Sequence, residues 1–125
     1  MNLNKIASIL AFIIGAMAIF AGGQVIFLGK QMDYYVINWL PYYNFTVGLI
    51  SFLITALLIW KGSRYAMLAA ILTFLAHGTV MAILLTAYRD VVAPDSIRAM
   101  SIRLTAWAII LVLMFLQSRR IKQTT

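Results

Sequence analysis

Four apolar runs, each close to the length of a bilayer crossing, fill almost the whole of this 125-residue chain. They extend from Ile6 to Gly29, Asn44 to Trp60, Tyr65 to Tyr88 and Ser96 to Gln117. A helix needs about 20 residues to cross the hydrocarbon core of a bilayer, and only the second run approaches the short limit. Lipid offers the backbone no hydrogen-bond partner, so each run predicts a helix that satisfies its own N–H and C=O groups. The expected fold is therefore all-α, an integral membrane four-helix bundle forming a single domain over residues 1–125. A secretory signal is the rival reading of the first run, but its apolar core would hold roughly 7–15 residues. This run continues through Val25-Ile26-Phe27-Leu28, so a retained span is expected.

Only two ionisable side chains, His77 and Arg103, lie well inside the runs. Hydrophobic residues make up 64% of the chain and charged residues 10%, against about half and a quarter in soluble domains. The net charge of +7 comes from cations that bracket the runs, which points to anionic lipid headgroups and away from nucleic acid. The absence of cysteine removes disulfides, thiolate metal sites and dithiol redox chemistry. Glutamate is absent too, and Asp33, Asp90 and Asp95 all fall between runs, so no carboxylate pair is set within the membrane. Neither enzymatic activity nor a bound metal or cofactor is expected. The seven methionines, Met81 one turn beyond His77 among them, read as packing residues.

The connections are short. Lys61-Gly62-Ser63-Arg64 predicts a tight turn that makes the second and third helices antiparallel neighbours. In the third loop Pro94 is expected to stop any helix, with Asp95 or Ser96 capping the next one. The first loop, Lys30 to Tyr43, carries Tyr34, Tyr35, Trp39, Tyr42 and Tyr43 and is expected to lie along the interface, while Trp60 and Tyr65 mark the opposite one. Lys5, Lys61, Arg64, Arg119, Arg120 and Lys122 fall on one side, against Lys30, Arg89, Arg98 and Arg103 on the other. That bias places both termini in the cytoplasm, in a multi-pass protein of the inner membrane.

Small residues mark the packing faces. Ala7, Ala11, Gly15, Ala18 and Gly22 recur at helical spacing, as do Asn44, Gly48, Ser51 and Thr55, then Ala66, Ala70, Thr73 and His77. Close backbone approach replaces the hydrophobic drive between helices in lipid, and hydroxyls on such faces are expected to bond across the interface.

His77 should face the bundle interior, with Thr73, Asn44 or Ser51 as its partner, because an unpaired polar ring in lipid is costly. Arg103 either reaches toward headgroups or forms the base of an outward-facing cavity, and Trp107, one turn deeper on the same face, is placed to stack beneath it. Arg98 points away from Arg103 and is expected to pair with Asp95 or lipid phosphate. Gln24, Asn44, His77 and Arg103 all fall in the outer half of the membrane, so their convergence on one ligand site is the sharpest expectation.

In length and span count the chain resembles the small multidrug-resistance exporters and the small fluoride channels. The exporters depend on a first-helix glutamate that this chain lacks, and the fluoride channels' signatures have no counterpart here, so neither function carries over. The expected role is non-catalytic: an accessory subunit of a larger membrane complex, or a lipid- or apolar-ligand-binding protein. A small oligomeric channel or transporter for an anion or small solute, using Arg103 and His77, is the alternative. A haem- or quinone-binding protein centred on His77 comes third.

Overall fold

The computed structural model describes residues 2–29 and 37–124, with side chains through Arg119. Four helices cross the length of a bundle: Leu3–Ile26, Leu40–Lys61, Ala66–Thr86 and Pro94–Thr124, the last apolar as far as Arg119. All four are long and apolar enough to span a membrane, and the protein is an all-α, multi-pass membrane bundle. Large apolar side chains cover its outside, with Phe20, Leu53, Leu72 and Phe115 each more than half exposed.

Local chemistry sets the helix boundaries. Asn2 caps the first helix, its side chain accepting from the Asn4 N–H at 2.9 Å. The second helix starts four residues before the expected Asn44 because Pro41 occupies its first turn, where a missing N–H costs nothing. Trp39 therefore sits at the helix start, and Tyr42 and Tyr43 lie inside the helix, not in an interfacial loop. Ile37, just before it, is buried against Leu40, Val80, Leu84 and Met100. Lys30, Tyr34 and Tyr35 lie outside the described residues. Gly62 adopts φ +67° and ends the second helix in a left-handed cap. Pro94 opens the fourth helix instead of halting it, again as a first-turn proline.

The first helix is the axis of the bundle. It packs on the second helix along its length and on the fourth, and the fourth packs on the third. The second and third helices touch mainly near their shared turn and at a five-residue π-helical segment, Ser51–Thr55. Between them runs a shallow groove lined by Val47, Ile54, Leu72 and Ala76.

The seam between the first two helices is backbone against backbone. A Cβ built on Gly22 would lie 2.6 Å from the Phe45 N, and one on Gly48 would lie 2.8 Å from the Ile19 N. Gly15 faces the same seam, 3.0 Å from the Phe52 N by the same measure. Ser8 adds a polar tie, its hydroxyl donating to the Ala56 carbonyl at 2.8 Å. Ser51 and Thr73 are buried but bond within their own helices, to the Val47 and Ala69 carbonyls, and do not cross an interface as expected. A carbonyl four residues back is always within a serine or threonine hydroxyl's reach and needs no matching partner.

The core has two apolar parts. One, toward the termini, holds Ile14, Ile59, Trp107, Ile110 and Met114. The other, at the opposite end, is the cluster around Ile37 and Leu84. A polar layer separates them.

Candidate functional site

The polar layer is built on two consecutive residues of the second helix. The Tyr43 hydroxyl is hydrogen-bonded to Nδ1 of His77 on the third helix at 2.8 Å. The next residue, Asn44, accepts through Oδ1 from Arg103 Nη1 of the fourth helix at 2.6 Å. Neighbouring positions on a helix point about 100° apart, so one turn of the second helix ties it to both remaining partners. The Tyr43 and His77 rings meet edge to face, with centroids 5.8 Å apart.

His77 is 3% exposed and Arg103 7%, so both sit inside the protein. Arg103 does not reach out to headgroups. Its helix begins at Pro94, which puts it nine residues, or about 14 Å, along the axis from that start. A hydrogen bond from a cation to a carbonyl in a low-dielectric interior ranks with the stronger polar contacts, about 1.5–3 kcal/mol net.

Beside Arg103 lies a cavity of about 80 Å³ between the first, second and fourth helices. Gln24, Asn44, Asp95, Ser96, Met100 and Arg103 contribute to its wall. The four expected residues thus divide: Gln24, Asn44 and Arg103 share this cavity, while His77 stands outside the wall and joins the layer through Tyr43. Trp107 is fully buried in the apolar cluster toward the termini and contributes nothing to the cavity wall. At the cavity mouth Asp95 lies 3.8 Å from Arg98, and both side chains are largely exposed.

Tyr43 is the residue the sequence reading missed as the partner of His77. Pro41 was its signal: a proline favours the first helical turn, and a helix begun there carries Tyr43 directly before Asn44. Trp39 makes a second tie at this end, its Nε1 donating to the Tyr88 hydroxyl oxygen at 3.0 Å. Replacing Tyr43 with phenylalanine should cost about 1 kcal/mol of bundle stability, the worth of one interhelical hydrogen bond. Titration of detergent-solubilised protein with SDS, followed by circular dichroism, measures it. Tyr42→Phe, at an exposed position, should leave the midpoint unchanged.

The cavity has room for a few water-sized groups, well short of the roughly 300 Å³ at which drug-sized sites begin. Its chemistry is a buried cation, two carboxamides and a hydroxyl, with a carboxylate at the rim. Such a set can hold one anionic, oxygen-rich group. Comparison with protein-family models, with curated proteins and with solved structures found no match to this chain.

Proposed function

We propose that this protein is a non-catalytic component of the inner membrane that holds the anionic head of an amphiphile, a carboxylate or a phosphate, against Arg103. The observation that carries the reading is a buried arginine, fixed by Asn44, in the wall of a small polar cavity near one end of the bundle. The ligand's apolar chain would then leave the site toward lipid. The apolar cluster packed around Trp107, Ile110 and Met114 fills the bundle beyond Arg103, which favours holding a ligand over conducting one through the monomer. Both termini are proposed to face the cytoplasm, on the excess of lysine and arginine at their end of the bundle. Assembly with a larger membrane partner is compatible with this role and is part of the proposal.

Binding of radiolabelled oleate to the purified protein tests it. Saturable binding, competed by oleate but not by methyl oleate, is expected for a site that reads a negative head. Arg103→Gln should weaken that binding about tenfold or more, as loss of a charge-assisted hydrogen bond requires. Equal binding by the variant, with its helical spectrum intact, would reject the assignment.

A further inference from the structure

A second pocket lies at the opposite end of the bundle, where the first and fourth helices meet the turn between the second and third. It encloses about 280 Å³ and is lined in part by Asn4, Ser63, Arg64, Met67, Met114 and Ser118. Its character is set by three observations. The first is charge: Lys5, Lys61, Arg64 and Arg119 stand at this end with no described acid beside them, whereas at the other end Asp90 and Asp95 accompany Arg89 and Arg98. The second is an unmet acceptor. Asn4 Oδ1 is buried and has no hydrogen-bond partner among the described residues. A buried carbonyl oxygen left unpaired costs about 1–3 kcal/mol, so a ligand bringing a donor is favoured there.

The third is depth. Trp60 and Tyr65, both partly exposed, flank the turn, as interfacial aromatic residues do at headgroup level. Lys5 is fixed over the Trp60 ring, 3.9 Å from its centroid, and donates to the Trp60 carbonyl at 3.0 Å. Arg64 Nη2 donates to the Tyr65 hydroxyl oxygen at 2.6 Å, one of the five N–H donors a guanidinium carries. The third helix also starts here with no side-chain cap, so its positive end adds to the field.

From these we infer that the pocket binds the headgroup of an anionic phospholipid that carries hydroxyl donors, a phosphatidylglycerol. Arg64 takes the phosphate, a headgroup hydroxyl donates to Asn4 Oδ1, and the acyl chains run up the apolar outside of the bundle past the partly exposed Met67. The site is separate from the Arg103 cavity and stands or falls without it.

The test is native mass spectrometry of protein released from vesicles of equal dioleoyl phosphatidylglycerol, phosphatidic acid and phosphatidylcholine. Wild-type protein should retain phosphatidylglycerol in preference to both others. Arg64→Gln should lower its occupancy about tenfold, while Arg119→Gln, at the same end, should stay within the roughly fivefold that one diffuse surface cation accounts for. Asn4→Leu should reduce retention of phosphatidylglycerol but not of phosphatidic acid, which has no headgroup hydroxyl to offer. Equal losses in the two cation variants would overturn the site in favour of general surface charge. Equal retention of phosphatidylcholine would overturn it as well. So would displacement of the lipid by millimolar glycerol phosphate, which would make a soluble phosphate the ligand. In an Arg103→Gln background, where the oleate site is lost, Arg64→Gln and Asn4→Leu should still produce these losses, which separates failure here from failure of the oleate site.

Discussion

Replacing Gly22 with alanine is expected to lower the unfolding free energy by about 2–3 kcal/mol, the upper part of the range for overpacking a tight contact. The new methyl group would be 2.6 Å from the Phe45 N, so backbone and not a pliant side chain must give way. Alanine's better helix propensity, about 1 kcal/mol over glycine, offsets only part of that cost. The neighbouring position supplies the control. A Cβ on Gly23 would meet nothing nearer than the Phe45 ring at 3.7 Å, an ordinary contact. Gly23→Ala should therefore be neutral or mildly stabilising. Gly48→Ala, across the same seam, should behave like Gly22→Ala. Denaturation in mixed micelles reads all three, and matching midpoints for the Gly22 and Gly23 variants would show that the seam is not the contact it is taken to be.

The second large effect concerns the order in which the polar layer is dismantled. Asn44→Leu takes an acceptor away from 2.6 Å beside a buried guanidinium, and should cost about 2–3 kcal/mol. Arg103→Met removes the charge itself and leaves a half-buried amide beside a polar cavity, so about 1 kcal/mol or less is expected. The double variant should be more stable than Asn44→Leu alone, because the buried charge that lost the Asn44 acceptor is gone. A double-mutant cycle on the unfolding free energies gives the coupling directly. Additive losses would mean that the hydrogen bond contributes nothing beyond its two side chains.

The spans were legible because apolar length alone settles them. The small-residue faces were legible for a similar reason: Ala7, Ala11, Gly15, Ala18 and Gly22 recur at helical spacing along one face, and all five are buried. Rotation was harder. Lipid is as apolar as the core, so a membrane helix need not show a polar outer face, and only rare polar residues mark the inward one. That is why the choice among Thr73, Asn44 and Ser51 for His77 went astray. Two of these have hydroxyls that bond their own helix, and the third belongs to Arg103. Helix starts were misjudged at Pro41 and Pro94 alike, because proline breaks a helix in its middle and favours it at its first turn. The neighbour order of the helices was also hidden. A tight turn fixes which ends meet, not how far two helices stay in contact beyond them.

That neighbour order has a bearing on how the protein is made. The first and fourth helices are in direct contact, and the Leu3 N–H donates to Gln117 Oε1 at 2.9 Å across 114 residues of chain. The third helix leans chiefly on the fourth, which is synthesised after it. When three spans have entered the bilayer, the first two can already close their glycine seam, but the third has little to rest against. The arriving fourth helix supplies that support and carries Arg103 to an Asn44 already held in the paired first two. The bundle therefore closes in a docking step that waits for the fourth helix, and until it occurs the nascent chain is an interlocked pair with a loosely tethered third helix, exposed to whatever surveillance the membrane maintains.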